Sequence, residues 1–275
     1  MSARSVAGST VVAGVIGDPI QHSRSPAIHN AAFAEAGLDW VFVAFGVPRG
    51  DGAAALAATR ALGLGGLSVT MPHKRDAALG CDELTPDAAT LGAVNTVVPR
   101  EHGRLLGAST DGEGFLRSVR DHDVDPARGS ALVLGAGGAA RAIALALAQL
   151  GGPVTVAARR KDAADATAAA APGIRPALLA ECDPGEFDLV VNATPLGMQG
   201  EAPPIDTARL NPSQFVVDIV YHPMETPLLA AARARGVPCA NGLGMLVHQA
   251  ALAFSLWTGV DAPLDAMRAA AERPS

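Results

Sequence analysis

Ala131-Leu132-Val133-Leu134-Gly135-Ala136-Gly137-Gly138-Ala139-Ala140 decides the fold of this 275-residue chain. Four apolar residues read as a buried strand, the glycines as a tight turn, and residues 139–150 as the helix that follows. This is the G-x-G-x-x-A form of the dinucleotide fingerprint, in the strand–turn–helix setting that gives it meaning. Gly135 permits the turn, Gly137 lets the backbone approach a pyrophosphate, and the small Ala140 lets helix and strand pack closely. The helix N-terminus that follows offers unpaired donors and a positive dipole end to an anion. The alternative is a glycine turn with no ligand; the flanking strand and helix argue for the nucleotide.

The next strand, 154–158, runs into Arg159-Arg160-Lys161. An NAD site expects an acid about 20 residues past the glycines, accepting from the ribose 2′-hydroxyl. The first acid here is Asp162, after three cations. Those cations suit the 2′-phosphate of NADP, which a guanidinium grips with two donors. A merely solvated basic helix start would oppose the helix dipole. NADP is therefore the expected cofactor.

Outward from this core, strands are expected at 11–17, 40–47, 66–71, 189–192 and 216–219, with a hairpin from 93–99 and 104–109. Helices are expected at 26–36, 52–62, from about 112 to 120, from Asp162, and at 243–257. Ser25 reads as an N-cap with Pro26 at the first helical position, and Gly37 as a stop. The alternation of strand and helix implies an α/β protein with parallel sheets. Residues 121–129 are polar and turn-rich, so a boundary is placed there, separating 1–121 with 243–275 from 122–242. The last helix has no strand after it and is expected to return to the first domain.

Composition narrows the partners. Lys and Arg total 21 against 27 Asp and Glu, a net charge of −6, which disfavours nucleic acid or an anionic membrane. Mean hydropathy is +0.25, yet the apolar stretches are interrupted: 131–150 by the glycines and Arg141, and 246–257 by His248 and Gln249. Neither reaches the length of a membrane span. Cys81, Cys182 and Cys239 are odd in number and widely spaced. They provide no zinc spacing and fit a reducing compartment. No stretch near residue 1 has the layout of a secretory signal, so a cytoplasmic location is expected.

Lysine usage points to chemistry. Only Lys74 and Lys161 are lysines, leaving 21 − 2 = 19 arginines. A lysine can exchange a proton where arginine stays charged. Lys74 closes Ser68-Val69-Thr70-Met71-Pro72-His73-Lys74, just past a strand end, where open α/β sheets bind ligands. A surface helix start is the plain alternative. Asp111, in Thr110-Asp111-Gly112, is an N-cap or an acid–base partner. Ser23 and Ser25, around Arg24, are a turn and a cap or a carboxylate anchor. Asn95 interrupts an apolar run, where a buried amide must find partners. His248 and Gln249 give the final helix a polar edge. No G-x-S-x-G, H-E-x-x-H or Walker pattern occurs.

Segments 17–26, 68–74, 92–96, 110–115, 135–142, 192–198, 218–229 and 241–250, taken in order, resemble the shikimate dehydrogenase family. The resemblance implies an N-terminal α/β substrate domain, a Rossmann NADP domain and a C-terminal helix packing back on the first. It implies an NADP-dependent reduction of 3-dehydroshikimate to shikimate, reversible, in aromatic amino-acid biosynthesis. Lys74 and Asp111 take the place of the catalytic pair, Ser23 and Ser25 with Tyr221 that of the carboxylate anchors. Thr70, Asn95 and Gln249 stand where hydroxyls are read. Gly135, Gly137, Gly138 and Ala139 would line the pyrophosphate, Arg159 and Arg160 the 2′-phosphate, and Asn192, Ala193, Thr194, Gly242 and Met245 the ribose and nicotinamide. The implied partner is a small molecule, the implied assembly a monomer or homodimer, and no metal is called for. Two positions depart from the family pattern. Ala158-Arg159-Arg160 stands for Asn-Arg-Thr, and Ser109 for the Asn before Thr-Asp-Gly. The second leaves room for a quinate or aminoshikimate dehydrogenase; a non-catalytic NADP-binding sensor is the rival from another class.

Overall fold

A computed structural model describes residues 6–273. The chain forms two compact units: the residues up to Thr110 together with those from Val247, and Asp111–Leu246.

The first unit runs β1 (Val11–Gly17), α1 (Ser25–Glu35), β2 (Trp40–Gly46), α2 (Gly52–Ala61), β3 (Gly66–Val69), α3 (Lys74–Gly80), β4 (Glu83–Leu84), α4 (Pro86–Leu91), β5 (Thr96–Pro99) and β6 (Leu105–Ala108). Its strands lie in the order β2-β1-β3-β5-β6-β4. β1 is parallel to β2 and β3, while β5 runs antiparallel to β3 and β6. The sheet is therefore mixed, because the short β5–β6 connection can only reverse direction. β3 is shorter than expected: it stops at Val69, and His73 N donates to Thr70 O (3.0 Å) in the turn that launches α3. Ser25 is not the cap of α1 but its first residue. Arg24 holds the cap position at φ −83°, and Ser23 Oγ accepts from Ser25 N at 3.3 Å. Ile28, His29, Ala32 and Phe33, spaced by one turn, bury one face of α1.

The second unit runs α5 (Asp111–Arg120), β7 (Ala131–Leu134), α6 (Gly138–Gln149), β8 (Val154–Ala158), α7 (Lys161–Ala168), β9 (Ile174–Leu178), β10 (Leu189–Asn192), β11 (Phe215–Asp218), α8 (Pro227–Ala234) and β12 (Cys239–Asn241). Every pairing is parallel, in the order β12-β11-β10-β7-β8-β9. This is the doubly wound Rossmann arrangement, with its switch point between β7 and β10. The expected boundary near residue 121 lies instead between 110 and 111. A Cβ on Gly112 would sit 2.8 Å from Ala142 O, so α5 presses directly on α6. Phe115, Leu116 and Val119 join the core around Val133, Ile143 and Val156.

α9 (Leu243–Thr258) begins in the second unit, where Met245 is part of the core, and continues in the first from Val247 rather than from 243. Trp257 near its end lies over Gly66, where any side chain would meet the indole ring, and its Nε1 donates to Val97 O (3.0 Å). A further helix, α10 (Leu264–Glu272), follows where none was expected, burying Met267, Ala270 and Ala271. Among the described residues, no helix is long and apolar enough to cross a membrane.

Candidate functional site

In the first unit, the loops leaving β1 and β3 are joined at the carboxyl ends of those parallel strands, where ligands of open sheets bind. Thr70 N donates to Ile16 O and Asp18 N to Met71 O, each at 3.0 Å. A Cβ on Gly17 would meet Thr70 Cγ2 at 2.5 Å, so only glycine lets Thr70 sit against β1. Lys74 is the first residue of α3, and its carbonyl accepts from Val94 N (2.9 Å). Val69 N donates to Asn95 O (2.7 Å), bringing the start of β5 to the same edge. Thr70, Lys74 and Asn95 are thus gathered there, with the Ser23–Ser25 loop following β1.

The buried Asn95 amide finds the partners its position demands. Its Nδ2 donates to Thr110 Oγ1 (2.9 Å), and its Oδ1 accepts from Thr110 N (2.8 Å) and Thr96 Oγ1 (3.0 Å). His73 was not foreseen. It is fully buried, Nε2 donating to Val47 O at 2.7 Å, with Nδ1 3.6 Å from Asp76. It anchors the residue before Lys74 to the end of β2. Gln249 is half-buried on α9, next to His248.

In the second unit, Gly135 adopts φ +111°, a conformation that favours glycine, and its N–H donates to Ala157 O (2.8 Å). The first helical bond of α6 runs from Arg141 N to Gly137 O (3.0 Å), so the preceding amides of Gly138 and Ala139 have no intrahelical acceptor. A Cβ on Gly137 would meet nothing within 4 Å. Beyond β8, Lys161 is paired with Asp165 (2.8 Å) and Arg160 lies 3.5 Å from Asp162. Arg159 is exposed and has no ion pair among the described residues. An open glycine turn beneath a helix N-terminus and an uncommitted guanidinium at the end of the second strand fit a dinucleotide bearing a 2′-phosphate.

Asn192 ends β10 fully buried. Its Oδ1 accepts from Thr194 N (3.1 Å) and Oγ1 (2.7 Å), and its Nδ2 donates to Leu196 O (3.1 Å) and Asp218 Oδ1 (3.0 Å). It therefore shapes the loop carrying Ala193 and Thr194. Asp218, which the sequence did not single out, ends the adjacent β11. It accepts from Val220 N (3.1 Å) and Thr226 Oγ1 (2.6 Å), and burial pushes its carboxyl above the usual carboxylate range. Gly242 packs directly on the Ile219 carbonyl. Met245 is 8% exposed within the core. Asp111, first residue of α5, and Tyr221, half-buried between β11 and α8, also belong to this unit. Among the described residues, no cluster of His, Cys, Asp or Glu could hold a metal ion.

Residues 15–97 match the family model for the shikimate dehydrogenase substrate binding domain, and 242–272 that for the shikimate 5′-dehydrogenase C-terminal domain. A shikimate dehydrogenase (NADP(+)) of Moorella thermoacetica is 46% identical over 95% of this chain and 92% of its own length. Shikimate 5-dehydrogenase from Thermus thermophilus, solved with NADP(H) and shikimate, superposes with a TM-score of 0.89 at 39% identity, covering 96% and 99% of the two chains. Quinate dehydrogenase from Corynebacterium glutamicum, solved with NAD, gives 0.88 at 33% identity over 95% and 98%. Backbone likeness is shared across these substrates and cofactors, so side chains have to decide between them.

Proposed function

This chain belongs to the shikimate dehydrogenase family, and from that premise we propose that it reduces 3-dehydroshikimate to shikimate with NADPH, reversibly. NADPH supplies the hydride. The first unit reads the substrate: Ser23 and Ser25 the carboxylate, Thr70, Asn95 and Gln249 the ring hydroxyls, with Tyr221 of the second unit assisting. Lys74 donates a proton to the oxygen that was the carbonyl and, in the reverse direction, accepts it as the neutral amine. Asp111 is the second acid–base group of the reaction. The second unit holds NADPH: the Gly135–Ala139 turn takes the pyrophosphate, Arg159 the 2′-phosphate with Arg160 secondary, and the Asn192-supported loop the nicotinamide side.

The observation that carries this reading is the convergence of Thr70, Lys74 and Asn95 at one edge of the first sheet. A non-catalytic NADP sensor has no use for that convergence. The solved quinate dehydrogenase and the Ser109 departure keep quinate and aminoshikimate open as substrates. Reduced-nicotinamide absorbance, followed with shikimate or quinate against NADP or NAD, tests the proposal. Turnover fastest with shikimate and NADP supports it. Preference for quinate overturns the substrate, preference for NAD the cofactor, and no turnover the activity. The aromatic-biosynthetic role, a cytoplasmic location and a monomeric or homodimeric assembly complete the proposal.

A further inference from the structure

Arg24 stands between the two serines assigned to the substrate carboxylate, where a guanidinium would be the obvious reader of that group. Its side chain is committed elsewhere: Nη1 donates to the carbonyl of Ala271, 247 positions along the chain, in the last turn of α10. That turn carries unpaired carbonyls and the negative end of a helix dipole, so a cation satisfies both. Arg24 is also the cap residue of α1, and its own carbonyl accepts from Ile28 N at 3.1 Å. One residue therefore ties the N-terminus of α1 to the C-terminus of α10. A second tie leaves the same helix one turn earlier. Arg268 Nη2 lies 3.3 Å from His248 Nε2. A guanidinium can only donate, so the imidazole accepts, and His248 immediately precedes Gln249 on α9.

We propose that α10 is a brace for substrate recognition, with Arg24 and Arg268 as positioning residues. Together they hold the serine loop and the Gln249 stretch of α9 in place before the substrate arrives. Both recognition elements are thereby fixed to one helix, and the ordering cost of binding falls. The inference rests on the reading of Ser23, Ser25 and Gln249 as substrate contacts.

The test uses the full chain. Arg24→Ala raises the KM for shikimate by about tenfold, the scale of one lost charge-assisted hydrogen bond, while kcat and the NADP KM stay within about twofold. Arg24→Lys, which keeps a cation and a donor, recovers most of the loss. In the ligand-free protein, amide exchange quickens across 23–28 and in the last turn of α10. Removing residues 269–275 deletes the acceptor but leaves Arg24, and it gives the same rise in KM. Combining it with Arg24→Ala adds nothing further. An unchanged shikimate KM in Arg24→Ala overturns the brace, even if the protein melts earlier. So does a normal KM in the shortened chain, which would make Arg24 a direct substrate contact. If the shortened chain fails to fold, the exchange experiment decides, and unaltered exchange at 23–28 overturns the proposal. Ser23→Ala and Ser25→Ala separate the two levels. If they leave the shikimate KM unchanged, the substrate reading fails; if they are impaired while Arg24→Ala is normal, only the brace fails.

Discussion

His29 should make the first unit acid-sensitive, and the size of the effect follows from its surroundings. It lies on α1 with no exposed surface, stacked on Phe42 at 4.3 Å between ring centroids, with Trp257 at 5.1 Å. Among the described residues, neither ring nitrogen has a hydrogen-bond partner. Burial alone lowers its pKa from 6.5 to about 3. The unfolded chain therefore binds a proton that the folded chain refuses. Stability is at its full value above about pH 6.5 and drains away as the pH falls toward 3. Integrating the linkage between those two values, the loss from pH 7 to pH 5 is about 2 kcal/mol, approaching about 5 kcal/mol below pH 3. His29→Leu, close in volume and unable to take a proton, should abolish that component and remove the cost of two unpaired nitrogens. Both tryptophans, Trp40 and Trp257, lie in the aromatic cluster around His29. Urea unfolding followed by tryptophan fluorescence excited at 295 nm therefore reports on this unit. The expected result is a difference in unfolding free energy between pH 7 and pH 5 that is smaller by about 2 kcal/mol in His29→Leu than in the parent. Equal pH dependence in the two proteins, or an imidazole titrating near pH 6 by NMR, would refute the reasoning.

Other expectations concern the site and its scaffold. Lys74→Ala should lower kcat by about 10²–10⁴-fold with a modest change in shikimate KM, as expected for a lost proton donor. Steady-state kinetics in both directions checks this, and an unchanged kcat removes Lys74 from the chemistry. Arg159→Ala should raise the KM for NADP by about 10- to 100-fold and leave that for NAD nearly unaltered, because it removes a charge-assisted contact to the 2′-phosphate. Arg160→Ala, whose guanidinium is already near Asp162, should do less. Gly112→Val should push α5 away from the Ala142 carbonyl and destabilise the second unit by about 1–3 kcal/mol, visible as an earlier thermal transition by circular dichroism.

Sequence reading locates most readily the strands whose apolar runs are buried inside a sheet: β1, β7, β8 and β10 are each flanked by parallel neighbours. The edge strand β2 is legible from its apolar run at 40–47, but the edges β4, β9 and β12 are not. β9 reads Ile174-Arg175-Pro176-Ala177-Leu178, with its charge and proline tolerated because one side of the strand faces no partner. β12 is three residues long. α10 escapes notice because its apolar face is only Met267, Ala270 and Ala271 within a charged, alanine-rich stretch, and pattern reading relies on larger side chains to mark a face. The boundary is misplaced for a related reason. A polar, turn-rich segment marks where chain is exposed, whereas the division between units is set by what α5 packs against, and Gly112 carries no periodic signal.

Site residues are legible where chemistry and position coincide. Asn95 interrupts an apolar run, and Asn192 closes one, so each announces a polar group held at the end of buried chain. Asp218 closes Phe215-Val216-Val217-Asp218 in the same way; it opens the matching segment 218–229, yet neither the spacing nor the resemblance gives it a role. One rule covers both it and Asn192, which the sequence reading takes from the resemblance: at the carboxyl end of a parallel strand, a buried polar side chain must satisfy the loop that leaves it. What no rule of spacing supplies is the partner. Arg24 sits in sequence between two hydroxyls suited to an anion, and nothing along the chain names another partner for its guanidinium. In three dimensions, the carbonyls at the end of α10 compete for the same guanidinium and hold it. That competitor is invisible in the sequence because its helix is. A short element missed in the sequence thus leaves one side chain without its partner, so the Arg24 and α10 variants probe the site and the fold together.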